Sequence, residues 1–269
     1  MTGFDILARG PLPARRVCAR SVTSDRLTFP EWESSIEALW QEGLALSQRE
    51  GRVLFDGPVL RLVEHRLLED AAGLELLVAE GSYRDFYGTN LRQGHRLGPV
   101  AWDHYENPVG TSAVVITADG RAVLGRRSDH VMHYGGLGHC FGGTLEPRDR
   151  RADGEIDVEG SIRRELHEEL GLEEADIERL DCLGLVRDHE IVQPELLFSA
   201  NVSLELEALE LRWLAASSRY EHSALIDWPH EPEAMRAAAR QADVVAVAHA
   251  ALLFLAESSP AQNPTPPRP

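Results

Sequence analysis

Arg164-Glu165-Leu166-His167-Glu168-Glu169-Leu170-Gly171-Leu172 is the stretch that decides how this 269-residue chain reads. Glu165, Glu168 and Glu169 stand at i, i+3 and i+4, so on a helix they share one sector. Ile162, Leu166 and Leu170 recur at helical spacing as a core stripe, and Gly171 is a helix terminator. Three carboxylates held that close repel one another. A divalent cation between them relieves the repulsion, and Mg²⁺ takes hard oxygen ligands alongside waters and substrate phosphate. Glu-rich helices are common, so the glutamates alone would favour a solvated acidic helix face. What surrounds them tips the balance.

Upstream, a glycine-rich stretch runs from Gly135 to Gly143 and ends in Gly142-Gly143. Glycine lets a backbone carbonyl come close to a metal or phosphate. Arg164, next to the glutamates, can orient one of them through a bidentate pair. Ser112–Thr117 and Ala122–Arg126 read as strands joined by the tight turn Ala118-Asp119-Gly120-Arg121. The charged residues 146–159 read as a loop. Downstream, strands are expected at Leu183–Asp188 and Glu195–Val202, and Pro232–Ala256 suits a final helix or helix pair.

The order strand, Gly-Gly, loop, R-E-L-x-E-E-x-G-L resembles the Nudix box, G-x5-E-x7-R-E-U-x-E-E-x-G-U with U aliphatic. The resemblance implies a Nudix hydrolase with an α/β/α sandwich around a mixed sheet, and cleavage of a nucleoside diphosphate linked to another moiety. It implies metal binding by Gly143, Glu165, Glu168 and Glu169, with Mg²⁺ as the ion and Mn²⁺ as a substitute. It implies that Arg164 orients a carboxylate, and that Glu165, Glu169 and a later-strand acid, Glu195, serve the chemistry. Gly143 and Arg164 are separated by more residues than the box allows, so an insertion is expected around Pro147–Gly154. Glu155 or Glu159 is then the isolated first acid.

The N-terminal third has its own pattern. Thr28-Phe29-Pro30-Glu31 is a helix start, followed by Trp32, Ile36, Leu39, Trp40 and Leu44 at helical spacing, and Gly51 ends the element. Strands are expected at Val59–Leu68 and Leu74–Glu80, joined by a hairpin loop at Asp70-Ala71-Ala72-Gly73. Leu54-Phe55-Asp56-Gly57-Pro58 and Ser82-Tyr83-Arg84-Asp85-Phe86-Tyr87-Gly88-Thr89-Asn90 are similar to the front half of the UDP-glucose/UDP-galactose diphosphatase branch of the Nudix superfamily. That similarity implies hydrolysis of UDP-glucose or UDP-galactose to UMP and a sugar 1-phosphate. Arg84, Asn90, Arg126 and Arg127 are the candidate substrate-binding residues, because an arginine fork suits phosphate and an amide can read a base edge or sugar hydroxyl. Broader nucleotide housecleaning (ADP-ribose, a nucleoside triphosphate or a dinucleotide polyphosphate) and a non-catalytic nucleotide-sensing domain are the competing readings. Against ADP-ribose, the proline expected some sixteen residues beyond the box is missing, the nearest downstream being Pro194.

Composition bounds the rest. The formal net charge is -17, so free nucleic acid is not an expected partner. The basic residues number 27 and all are Arg, which excludes P-loop and Schiff-base lysine chemistry. Cys18, Cys140 and Cys182 are odd in number and far apart, which suggests neither a disulfide framework nor a zinc knuckle. No signal sequence is evident, and the longest apolar run, Val244 to Ala256, is too short to span a bilayer. A cytoplasmic protein without membrane contact is expected, and analogy admits a homodimer. The expected division is an N-terminal α+β region at 1–107, a Nudix hydrolase domain at 108–257 and a disordered Pro-rich tail at 258–269.

Overall fold

A computed structural model describes residues 3–28, 30–52, 54–68, 73–97, 102–129, 131, 133–241 and 243–258. Asp70, Ala71 and Ala72 of the hairpin loop expected at 70–73, and the tail beyond 258, lie outside the described residues.

The N-terminal part opens with strands β1 (Phe4–Pro13) and β2 (Val17–Ser21), which sequence patterning did not single out. Helix α1 (Pro30–Glu50) follows, with Gly51 in the left-handed conformation after its last residue. Next come β3 (Pro58–Leu67) and β4 (Leu74–Ser82). The SYRDFYGTN segment is helical: α2 (Tyr83–Phe86), a π turn (Tyr87–Leu91) and α3 (Arg92–Leu97). Ser82 caps it by accepting the Asp85 N–H at 3.1 Å. It packs on α1, where the absence of a side chain at Gly43 admits the Tyr87 ring.

From residue 110 the order is β5 (Gly110–Ile116), β6 (Arg121–Arg127), β7 (Gly138–His139), β8 (Phe141–Thr144), β9 (Glu155–Ile156) and α4 (Val158–Leu170). Then come β10 (Ile177–Asp188), β11 (Pro194–Val202), α5 (Leu206–Ala215), β12 (His222–Pro229), α6 (Pro232–Ala239) and α7 (Ala246–Ser258). The segment 146–159, expected as a loop, holds a 3-10 turn at Pro147–Asp149, the short β9 and the start of α4.

The larger sheet runs β1-β10-β11-β5-β6-β12, with β7 on β6 and β8 on β5. It is mixed: β11 and β5 are parallel and the other pairs antiparallel. Strand β5 is buried on both faces and shows the period-2 alternation of a central strand. Ala113 and Val115 pack with Ile162, Leu166 and Leu170 of α4, whereas Val114 and Ile116 pack with Met235, Ala248 and Leu252 of α6 and α7. Helices on both faces make this an α/β/α sandwich.

The smaller sheet is ordered β3-β4-β2-β9. Strand β1, from the N-terminal region, forms one edge of the larger sheet, and β9, from beyond residue 107, forms one edge of the smaller. The expected boundary at 107/108 is therefore crossed by strand pairing in both directions. One apolar cluster joins Leu60, Leu62 and Val78 to Phe141, Ile162 and Phe198.

Candidate active site

Helix α4 carries its glutamates into the floor of a cleft because both of its ends are fixed. Asp157 caps the start by accepting the Gly160 N–H at 2.9 Å. Gly171, at φ 68°, closes the end in the left-handed conformation that glycine adopts without strain. Register then does the rest. Strand β8 pairs with β5 so that Gly143 faces Thr111 and Gly142 faces Ser112. Strand β11 pairs with β5 so that Glu195 faces Gly110.

Glu169 is 1% exposed. It accepts the Gly142 N–H at 3.3 Å and shares a hydrogen bond with His222 Nε2 at 3.0 Å. Burial pushes its pKa up to about 8, and the Arg127 charge opposes that rise. Glu165 lies against Gly143, where a Cβ would fall 2.7 Å from its carboxyl carbon. Burial first, and then the neighbouring Glu169, raise it to about 7, while Arg164 pulls it down. Glu195 is buried, accepts the Ser112 hydroxyl and is raised by burial to about 7. Glu168 is half-exposed, with its Oε1 3.8 Å from Arg164 Nε. Burial is the first cause of the rise in all three carboxyl groups, as in a water-poor cleft.

The Arg164 guanidinium bonds Glu165 Oε1 at 3.0 Å and also Asp149. Asp149 is buried and stands six residues after Gly143, the spacing the box gives its first acid. Neither expected candidate reaches Arg164: Glu155 pairs with Arg151, and Glu159 with Arg163. The extra residues enter after the acid, between Asp149 and α4, where they form β9. The insertion expected around Pro147–Gly154 overlaps this stretch, which begins beyond Asp149.

Of the expected substrate residues, Arg127 alone lines the cleft. Its Nε donates to the His133 carbonyl at 3.2 Å, and among the described residues it has no ion-pair partner. Arg84 is held on the surface by Asp85 at 3.0 Å and Glu37 at 3.5 Å. Arg126 is held by Asp243 and the Gly136 carbonyl, each at 2.9 Å. Asn90 is fully buried: its amide donates to Asn107 Oδ1 and the Ile191 carbonyl, and its Oδ1 accepts the N–H groups of Glu106 and Asn107. Its polar atoms are already engaged in holding the segment 102–109.

His222 escaped sequence reasoning because it comes from β12, far from the box. Gly125 leaves room for its ring, on which the Phe141 ring packs edge-on at 5.0 Å. Burial lowers its pKa to about 4. The imidazole is therefore neutral, and its hydrogen bond with Glu169 adds no charge to the site.

Among the described residues, no three His, Cys, Asp or Glu side chains form a ready metal cage. The arrangement fits Mg²⁺ nonetheless. That ion keeps several waters and phosphate oxygens and needs only one or two carboxylates from the protein. Glu165 and Glu169, with the open space above Gly143, offer an incomplete oxygen shell of this kind.

The cleft has two lobes sharing Tyr83, Arg127, Gly143 and Thr144, with volumes of about 690 and 160 Å³. A family model described as NUDIX domain matches residues 106–246. The chain belongs to the Nudix family. Among curated proteins, it is 32% identical over 138 residues to uridine diphosphate glucose pyrophosphatase NUDT22 of Mus musculus, covering 48% of this chain and 44% of that one. The Homo sapiens counterpart is 33% identical over 151 residues, covering 52% and 48%. The chain thus spans about half the length of the curated relatives it matches. A solved MutT Nudix hydrolase from Burkholderia pseudomallei is 19% identical, with 56% of this chain and 98% of that chain covered and a TM-score of 0.37. No helix among the described residues is long and apolar enough to cross a membrane.

Proposed function

We propose that this Nudix protein hydrolyses the pyrophosphate of a nucleoside diphosphate sugar, UDP-glucose or UDP-galactose, to UMP and a sugar 1-phosphate. The observation that carries the reading is the meeting of half-buried Glu165 and buried Glu169 beside Gly142-Gly143 on the cleft that Arg127 lines, a guanidinium without an ion-pair partner among the described residues. The identity to proteins named as uridine diphosphate glucose pyrophosphatases supports the choice of substrate.

Glu165, Glu168, Glu169 and the Gly143 carbonyl would hold the metal. Mg²⁺, when bound, supplies neutralisation of phosphoryl charge and a lowered pKa for bound water. Arg164 fixes Glu165 through their 3.0 Å bond. Arg127 binds the diphosphate with a planar fork that matches its oxygens. Glu195, with its pKa near 7, is suited to accept the proton of the attacking water at neutral pH. Positioning and electrostatics then carry most of the rate.

The test incubates the protein with UDP-glucose and Mg²⁺, with chelator and Glu169→Gln as controls. UMP and glucose 1-phosphate should form in equal amounts, stop with chelator, and fall at least 100-fold in the variant, an order of magnitude in keeping with loss of an electrostatic group. Cleavage of ADP-ribose or a dinucleotide polyphosphate with UDP-glucose untouched would replace the substrate and keep the reaction class. Undiminished turnover by Glu169→Gln would remove α4 from the chemistry.

A further inference from the structure

The two lobes of the cleft differ in chemistry. Phe55 and Tyr220 line the larger one and are 70% and 63% exposed. Single exposed apolar side chains are ordinary. Here the two exposed large aromatics among the described residues sit on one cavity, and neither ring stacks on another aromatic among those residues. Open π faces on a cleft wall suit a planar nucleobase, which stacks on aromatic rings whatever its edge pattern.

The smaller lobe is the more polar of the two. His133 lines it, and its Nε2 is buried with no hydrogen-bond partner among the described residues. Burial and the Arg127 charge hold its pKa down to about 4, so the ring is neutral. An orphaned ring nitrogen out of water is costly, and a turn of the His133 ring toward the lobe would offer it to a ligand hydroxyl. Tyr134 in the same wall donates to Asp188 Oδ2 at 3.1 Å. The backbone is also strained there: Tyr134 and Val192 have φ of 60° and 56°. A β-branched residue rarely enters this region, and such strain gathers at ligand sites.

We propose that a nucleoside diphosphate sugar lies across both lobes, its base against Phe55 and Tyr220 in the larger and its sugar against His133 in the smaller. The diphosphate then falls on the shared wall, under Arg127 and over Gly143. The assignment rests on the hydrolase reading for its ligand class. It also gives the N-terminal region a task, because Phe55 comes from the segment between α1 and β3.

The experiment measures UMP and AMP affinity by calorimetry, and the UDP-glucose KM and kcat, for the wild type, Phe55→Ala, Phe55→Trp, Tyr220→Ala, His133→Ala and His133→Gln. Phe55→Ala and Tyr220→Ala should each weaken the bound mononucleotide about fivefold or more, as loss of one stacking ring does, with Phe55→Trp near wild type. His133→Ala should leave mononucleotide affinity unchanged and raise the UDP-glucose KM about tenfold with kcat little altered. His133→Gln should recover part of that loss. Unchanged mononucleotide affinity in both aromatic variants overturns the assignment. So does a His133→Ala protein that loses mononucleotide as they do, or a wild type that binds neither mononucleotide. A wild type that shows the expected mononucleotide pattern yet cleaves no nucleotide sugar leaves the base in its lobe and refutes the hydrolase reading instead.

Discussion

Gly142 and Gly143 are adjacent, yet a methyl group would meet a different obstacle at each. At Gly142 a Cβ would lie 1.8 Å from the Thr111 carbonyl oxygen, which is backbone of the neighbouring strand. At Gly143 it would lie 2.7–2.9 Å from the Glu165 carboxyl group, the far end of a side chain that can move. Gly142→Ala should therefore cost several kcal/mol, as overpacking against a fixed strand does, and reduce soluble yield. Gly143→Ala should melt within about 1 kcal/mol of wild type, typical of a site with a yielding neighbour, while Mg²⁺ affinity and turnover fall at least tenfold. Thermal melts and a metal titration on both variants decide it, and a fully active Gly143→Ala protein contradicts the role given to Glu165. The same scale shows where sequence reading stops. Glu165 and Glu169 were legible from i, i+3, i+4 spacing. Asp149 was not, because sequence does not say on which side of an acid an insertion enters. The Arg164 guanidinium answers that in space.

At the scale of elements, helix α4 was readable because one buried face leaves a helical period, and central strand β5 because burial on both faces leaves an unbroken run of apolar and small residues. Strands β1 and β2 were not, since Arg9, Pro11, Pro13, Arg15, Arg16 and Arg20 interrupt any alternation. The SYRDFYGTN segment gave no period either, because its helical turns are fixed by polar contacts. One of them is Glu106, whose Oε1 accepts the Ser82 N–H at 2.9 Å at the junction of β4 and α2. Its Oε2 is 3.3 Å from Arg26 Nε. Burial nonetheless dominates and raises its pKa to about 7. A carboxyl group whose pKa rises on folding binds its proton more tightly in the native state. Its contribution is fully present below the unfolded value near 4.5 and is lost as pH climbs through about 7. Wild type should therefore lose stability relative to Glu106→Gln between pH 5 and 8, by on the order of 3 kcal/mol. Denaturant unfolding of both proteins at the two pH values measures the difference. A difference that stays flat, or grows in favour of wild type with pH, would show that Arg26 outweighs burial.

At the scale of the molecule, the division expected from the sequence separates two regions that the strands join. Residues 4–13 close one side of the larger sheet against β10, and residues 155–156 close one side of the smaller against β2. Pattern reading sees a boundary where composition changes, and it cannot see which edges pair across it. Open edges and uncovered apolar faces are unstable in isolation. A fragment of residues 108–258 would expose the β10 edge, and it would uncover the α4 and β8 side chains that Leu60, Leu62 and Val78 now bury. It would also lack Leu54 and Phe55 from the larger lobe. Expressed alone, it should not unfold cooperatively and should bind a hydrophobic dye, whereas the 269-residue chain gives one transition. Mixing it with residues 1–107 should restore turnover only as far as the two halves re-pair. A fragment that melts in a single sharp step and retains nucleotide-sugar cleavage would mean that the larger sheet is self-sufficient. The N-terminal strands would then be an addition to the fold and no part of its core.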